Sequence, residues 1–343
     1  MCTWHNSTYE QDTFAPSILH PLTIITLPIH LLATYVIIFK TPATMGSVKR
    51  SMLMLHVFGA HHDFVFSVLS TPYILLPAPA AYSTGLYTYL GMPTRLQEYI
   101  LFVSATITGC TILGFFECRY NATVRGDSGS LFGNTKRLLY IGGHVIFAFT
   151  YIFPVTFTPP DQKVGKEYVK KILPCLPDHV INHPDLYVFS TDPTLLAVLV
   201  AIAITVYPTQ CCFFATKIAI FLSGTKAKSK RTHKLQMQFF IALCIQVTIP
   251  MTALTVPIVY NIGAFTQGYF NQALNNITIN MMSLHGVLTS IVMLIVHRPY
   301  RQVVTNVFCA PSSRVKQLTS SGNSQVGAEA SVFVSGLRTT AAL

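Results

Sequence analysis

The sequence predicts an all-α membrane protein built as a bundle of seven transmembrane helices. Of its 343 residues, 51% are hydrophobic and only 10% are charged, whereas soluble domains carry about a quarter charged residues. The apolar residues are concentrated in segments of about 20 residues or more, long enough to cross ~30 Å of hydrocarbon as helices. The predicted spans are residues 18–39, 51–76, 96–116, 138–157, 195–222, 235–260 and 273–296.

Lysine and arginine residues between the spans predict the orientation. With the N-terminus outside, 17 of them fall in the inner loops and the C-terminal tail and only 5 in the outer loops. Inner loops of membrane proteins carry this excess of basic residues. We therefore expect the N-terminus outside and the C-terminus inside, and we attribute the net charge of +11 to contact with the bilayer and not to nucleic-acid binding.

Three regions follow from these spans: an extracellular tail over residues 1–17, a transmembrane domain over 18–302, and a cytoplasmic tail over 303–343. The outer tail contains Asn6 in an Asn-Ser-Thr triplet, a predicted glycosylation site. The inner tail begins with apolar residues at helical spacing, typical of a short surface helix, and then becomes rich in Ser, Thr and Gly, which favours disorder. Cys309, at the end of the short helix, is a candidate palmitoylation site.

Polar residues follow one face of the seventh span. They are spaced three or four residues apart, so a helix aligns them. One interpretation is packing between helices by small and amide side chains. The other is that the stripe lines a ligand cavity and carries a rearrangement to Pro299 and Tyr300 at the inner end. The stripe consists of Gln272, Asn276, Asn280, Ser283, Gly286 and Ser290.

Asp63 is the only acidic residue deep in any predicted span. A carboxylate in the membrane needs a polar partner or water, and Asn280 on the seventh span is the natural candidate. It is either the centre of a sodium- or proton-sensitive switch or a hydrogen-bonded structural acid. His56, His61 and His62 lie nearby without a ligand set at metal spacing, so neither a metal nor a cofactor is predicted.

The sixth span contains Pro250 and Pro257, which each remove a helix hydrogen bond. Because they are seven residues apart, we expect two kinks on nearly the same side, which would let the inner end swing. The alternative is that the two prolines only set the shape of the helix bundle and have no part in switching.

Glu117 and Arg119 end the third span at the predicted inner surface. The arginine can pair with Glu117 at rest and be released toward a partner, or the two residues can be a plain topology anchor. An enzyme is not predicted, because the spans hold no second aspartate for aspartyl chemistry and no nucleophile, phosphate-binding or dinucleotide-binding motif.

These residues resemble the nematode serpentine chemoreceptors of class H, which are seven-helix G-protein-coupled receptors. The likeness runs from about residue 18 to 302 and is densest near its end. It is carried by Phe-Glu-Cys-Arg-Tyr at 116–120, Pro-Cys-Leu-Pro at 174–177, Tyr-Phe-Asn-Gln-Ala at 269–273, Ser-Leu-His-Gly at 283–286 and His-Arg-Pro-Tyr-Arg at 297–301.

The resemblance implies a GPCR-like receptor in the plasma membrane of a sensory cilium. It would bind a small odorant or pheromone and activate a heterotrimeric G protein. Glu117 and Arg119 would be the acid–arginine pair of the third helix, and the third inner loop, with Lys230 and Arg231, a G-protein surface. The usual disulfide from the third helix to the second outer loop lacks its first cysteine, which leaves Cys2 as a conceivable partner of Cys175.

A small, apolar ligand is expected to enter from outside between the third, fifth, sixth and seventh helices. Glu98, Tyr99, Gln272 and Asn276 are the predicted polar lining. The alternative functions are a seven-helix ligand-gated channel, of a type that places its N-terminus inside, and a small-solute transporter.

Overall fold

The computed structural model describes residues 2–42, 45–127, 134–224 and 230–309. Within them the chain forms a bundle of long helices closed at one end by a small sheet. The helices are α1 (Phe14–Lys40), α2 (Gly46–Phe64), α3 (Leu86–Tyr89), α4 (Thr94–Tyr120), α5 (Thr135–Thr150), α6 (Phe153–Phe157), α7 (Gln162–Ile172), α8 (Asp178–Ile181), α9 (Pro193–Gly224), α10 (Lys230–Gln267), α11 (Gln272–Met282), α12 (His285–Val296) and α13 (Arg298–Cys309). A 3₁₀ turn covers Thr8–Glu10, and π-helical turns at Val65–Leu69 and Asn121–Arg125 extend α2 and α4.

Seven membrane spans are present, as the sequence predicts. Six helices in the described residues are individually long and apolar enough to cross a bilayer. The seventh span is the pair α11 and α12, which are bent by 42° at a break of two residues. The prediction of one continuous seventh helix was therefore wrong. We call the side of the bundle that carries residues 2–13 the N-terminal face, and the opposite side, where α13 lies, the C-terminal face.

The second span ends earlier than predicted. Its helix stops at Leu69, and residues 72–74, assigned to the span from their hydropathy, form strand β1 (Pro72–Ile74). Proline disfavours a helical residue before it, and Thr71 takes a positive φ of 44° there. The chain consequently turns across the N-terminal face and does not continue the helix.

A three-stranded antiparallel sheet covers the N-terminal face. Strand β2 (Ala80–Ser83) pairs with β1, and β3 (Tyr187–Val188) pairs with β2. Helix α7 packs on β3 so closely that a Cβ on Gly165 would meet the side chain of Val188 at 2.9 Å. A disulfide between Cys2 and Cys175 joins the N-terminal segment to the loop that carries β3. The sheet is thus a lid anchored on several sides.

The N-terminal segment is fastened to this lid by hydrogen bonds. The Tyr73 hydroxyl donates to the Glu10 carbonyl at 2.6 Å, and the Tyr82 hydroxyl donates to Asp12 at 3.1 Å. Burial raises the pKa of both tyrosines, so both hydroxyls remain donors at physiological pH. The segment therefore packs against the lid as part of the fold.

Helix α13 turns back onto the bundle at the C-terminal face. Tyr300 is fully buried, with its hydroxyl 2.8 Å from Thr41 Oγ1 and 3.9 Å from the sulfur of Met52. These contacts hold the start of α13 against α1 and α2. The tail from residue 310 lies outside the described residues, as do the side chains of Cys309, Lys230 and Arg231.

Candidate functional site

An apolar cavity of about 190 Å³ lies beneath the sheet. It is enclosed by α4, α9, α10 and α11, which are parts of the third, fifth, sixth and seventh spans, with the β1–β2 hairpin above. This volume is below the range of drug-sized ligand pockets. The cavity is accordingly suited to a small organic molecule, at the position where the sequence predicts the ligand.

Glu98 is the one predicted lining residue that lines this cavity. It lies near the start of α4 and is 4% exposed, and one of its oxygens accepts a hydrogen bond from Ser83 of β2 at 3.2 Å. Ser83 in turn lies 2.9 Å from the Ser70 hydroxyl. The carboxyl group is therefore held at the boundary between the cavity and the lid.

Tyr99 does not line the cavity, and this prediction was wrong. Its side chain turns toward the fourth span, on a different face of α4 from Glu98. The Tyr99 hydroxyl donates to the Phe149 carbonyl at 2.7 Å, and its ring packs edge-on against Phe157 at 5.3 Å. It joins α4 to the fourth span.

Gln272 and Asn276 are buried, but they bind backbone and do not line the cavity. The Gln272 amide donates to the Ile74 carbonyl of β1 at 3.0 Å. The Asn276 amide donates to the carbonyls of Tyr9 and Gln11 at 2.8 and 3.2 Å. Both amides, predicted as lining, instead tie α11 to the sheet and to the N-terminal segment.

Apart from Glu98, the polar residues that line the cavity were not predicted. They include Thr106, Tyr151, Tyr207 and Asn261. The sequence of an apolar span does not show which of its residues face the cavity, because the rotation of each helix is set by packing. A tyrosine in an apolar span is equally typical of a membrane interface or a helix contact.

Asp63 caps the start of α12 at the break in the seventh span. It does not pair with Asn280, the partner that the sequence predicts. Its two oxygens accept hydrogen bonds from the backbone N–H groups of Gly286 and Val287, both at 2.6 Å. Because α12 starts anew at the break, its first N–H groups have no partner within the helix. A carboxylate is a favourable cap for that positive end. The Asn280 side-chain oxygen is buried without a hydrogen-bond partner among the described residues.

A histidine of α1, His30, contacts this carboxylate, and its ring lies 5.6 Å from the ring of His56 in α2. His30 Nε2 lies 3.4 Å from Asp63, and the ring nitrogens of His56 lie 2.9 Å from Thr34 and 3.1 Å from Ser290. Ser290, the last member of the predicted stripe, therefore serves helix packing. The described residues contain no group of three side chains that could hold a metal ion.

At the C-terminal face, Glu117 pairs with Arg137 and not with Arg119. Both side chains of the pair are buried, and the guanidinium donates to the two carboxylate oxygens at 2.7 and 3.0 Å. Residues two apart on a helix face different directions, which rules out the predicted local pair. Asn134 caps α5 through the N–H of Arg137 and thereby places that arginine one turn into the helix.

Arg119 is left free to contact the sixth span. Its guanidinium lies over the ring of Phe239 in α10, 4.6 Å from the centroid. Two turns further along α10, Gln246 contacts His297 at the end of the seventh span at 2.8 Å. Three spans therefore meet through side chains at this face.

Other predicted residues have clear positions. Helix α10 runs through Pro250 and Pro257 without interruption. Pro299 is the second residue of α13, where a proline costs no helix hydrogen bond. Asn6 is exposed on the N-terminal face with a φ of 53°, a conformation that asparagine tolerates better than most residues.

A bundle of apolar helices long enough to cross a bilayer seven times, with a cavity beneath one face, defines a multi-pass membrane protein. The chain belongs to the serpentine type 7TM GPCR chemoreceptor family Srh, whose family model matches residues 10–310. It is similar to serpentine receptor class H-72 of Caenorhabditis elegans, with 28% identity over 289 residues that cover 83% of this chain and 82% of that relative. The resemblance inferred from the motifs is thus confirmed.

Proposed function

We propose that this chemoreceptor detects a small odorant or pheromone in the cavity beneath the sheet and activates a heterotrimeric G protein at the C-terminal face. The observation that carries the proposal is the composition of the cavity wall. One space touches α4, α9, α10 and α11, together with Phe66 of the second span and Tyr151 of the fourth, so an occupant contacts six of the seven spans at once.

The route from ligand to partner follows α10. Met251 and Phe265 of α10 line the cavity, and Phe239, three turns nearer the C-terminal face, lies beneath the Arg119 guanidinium. A ligand that binds better to a displaced α10 shifts the population toward that arrangement. Such a displacement separates Arg119 from Phe239 and makes the guanidinium available to a G protein.

Two observations support an N-terminus outside the cell; the plasma membrane of a sensory cilium is proposed from the family alone. The Cys2–Cys175 disulfide lies on the N-terminal face, and disulfides form and persist in oxidising compartments. The basic residues cluster in the loops of the opposite face. An epitope tag at the N-terminus should accordingly be accessible to antibody on intact cells.

Signalling by an Arg119→Ala variant tests the coupling role. The variant is expected to reach the cell surface and to lose at least about tenfold in potency in a cAMP or calcium assay, about 1.4 kcal/mol of coupling free energy. Arg50→Ala, the same change at an exposed position of α2 on the same face, is the control.

Full signalling by the Arg119 variant would show that this residue has no role in coupling and only anchors the topology of the third span. An inaccessible N-terminal tag together with a ligand-evoked current that needs no G protein would replace the receptor by a ligand-gated channel. Accumulation of the ligand inside cells would replace it by a small-solute transporter.

A further inference from the structure

Glu98 is an acidic side chain without a cation in an apolar cavity. It is 4% exposed and takes part in none of the salt bridges formed by described residues. Arg95, one turn earlier, is exposed and lies 5.9 Å from the Phe157 ring, directed away from the cavity. Burying a carboxylate without a paired cation costs several kcal/mol, so the ionised form of Glu98 requires a cation that a ligand can supply.

The hydrogen bonds of Glu98 leave part of its capacity unused. In the part of the chain that the structure describes, its side chain has a single hydrogen bond, from Ser83 to Oε1. A carboxylate has about four acceptor positions on its two oxygens. The other oxygen, Oε2, therefore remains available to a donor inside the cavity.

The rest of the cavity wall fits a hydrocarbon body. Lining residues of α4 run from Glu98 to Ile112, about 21 Å along the helix at 1.5 Å per residue. A space of about 190 Å³ spread over that length is narrow. The aromatic rings of Phe102, Tyr151 and Tyr207 contribute to it, and such rings attract an alkylammonium group as well as an alkyl chain.

From this arrangement we propose that the ligand is a small, elongated organic amine bound as its ammonium cation. The ammonium group donates to Glu98 Oε2 below the sheet, and the hydrocarbon body extends between α4, α9 and α10 toward Tyr207. The proposal rests on the proposed function for the location of the ligand, and it adds the charge and shape of that ligand.

Binding to the purified full-length receptor in detergent tests the amine assignment apart from signalling. The probes are straight-chain primary amines of about four to eight carbons and the alcohols and carboxylic acids of the same chains, sizes that suit a cavity below the drug-sized range. The readout is the concentration of each probe that raises the thermal unfolding temperature. The amines are expected to act at concentrations at least about tenfold lower than the matched alcohols.

Glu98→Gln keeps the shape of the side chain and removes its charge. It is expected to weaken amine binding by about thirtyfold or more, the effect of removing one partner of a buried charge pair, and to leave alcohol binding nearly unchanged. Glu167→Gln, the same change at an exposed position of α7, should behave as the unaltered chain. Should Glu98→Gln fail to fold, two other measurements test the amine assignment. They are amine binding by Glu98→Asp, which keeps the charge, and the comparison of amine with alcohol on the unaltered chain.

The assignment is overturned if alcohols or acids stabilise the receptor as well as amines do, if no amine stabilises it, or if Glu98→Gln binds amines normally. Amine binding that does not alter signalling in cells would contradict the proposed receptor function but not the amine site. Signalling evoked by neutral odorants, without amine binding, would contradict the amine site but not the proposed receptor function.

Discussion

The carboxylate of Asp63 in α2 and the backbone N–H of Gly286 in α12 are 2.6 Å apart and fully enclosed by the bundle. The contact exists because the seventh span is broken two residues earlier, which frees the first N–H groups of α12. The acid in the middle of the second span and the break in the seventh are therefore one structural unit.

Replacing Asp63 with asparagine should destabilise this unit. Asparagine has one acceptor oxygen where aspartate has two, and its NH₂ group would face the second backbone N–H, so one donor is left unsatisfied. We expect a loss of about 1–3 kcal/mol, measured as a lower thermal unfolding temperature in detergent. Asp185→Asn, at an exposed position of the N-terminal face, should have no measurable effect. Equal stability of the two variants would mean that the cap contributes little.

Replacing Gly286 with alanine should be more damaging. A Cβ at this position would lie 2.2 Å from the Gly59 carbonyl oxygen and 2.9 Å from the Asp63 carboxyl carbon. Backbone cannot move aside as a flexible side chain can, so we expect a loss of about 3 kcal/mol or failure to accumulate at the cell surface.

Gly263→Ala provides the matched control, because nothing lies within 4 Å of a Cβ there. Alanine should favour that helix by about 0.5–1 kcal/mol. Surface expression measured by flow cytometry and unfolding temperature should separate the two glycines. A Gly286→Ala variant as stable as Gly263→Ala would contradict the close approach of α2 and α12.

A double-mutant cycle should reveal the buried pair of Glu117 and Arg137. Arg137→Met alone leaves the Glu117 carboxylate buried without its main cation and should cost about 3–5 kcal/mol. Glu117→Gln combined with Arg137→Met should cost less than the sum of the single changes, with a coupling free energy of about 1–3 kcal/mol. Additive losses in unfolding measurements would show that the two residues act independently.

The docking of the N-terminal segment should depend on pH through Glu10. Burial raises the pKa of Glu10, but hydrogen bonds from the N–H groups of Ser7 and His5 and from the His5 ring outweigh it, so the folded pKa lies below the usual value. The stabilisation is consequently present above the unfolded pKa of about 4.3 and is lost as the pH falls through the lower folded pKa.

The measurement is the difference in unfolding temperature between the unaltered chain and Glu10→Gln. It should be largest near neutral pH and shrink as the pH falls below about 4. A difference that does not change with pH would contradict a role for the ionised carboxylate.

Hydropathy was sufficient to predict the seven spans, because a segment that crosses the bilayer must be long and apolar. It misplaced the end of the second span, since residues 72–74 are as apolar in a strand as in a helix. The break between α11 and α12 has no proline to mark it. Its cap, Asp63, comes from another helix, a contact that no local pattern encodes.

The candidate site was predictable in location but not in detail. The structure has a cavity between the spans where the sequence places the ligand, and Glu98 is in its wall. Tyr99, Gln272 and Asn276 were misassigned because polarity alone does not distinguish a side chain that faces a ligand from one that binds backbone. Arg137 was missed as the partner of Glu117 because the pair joins two helices whose rotation is set by packing.

The bridge between Cys2 and Cys175 bears on how this protein is to be produced for study. Bacterial cytoplasm keeps thiols reduced, and a chain made there would reach the detergent with its lid untethered. Material for the binding experiments should therefore come from a eukaryotic secretory host, purified without reductant and with any affinity handle placed at the C-terminal end.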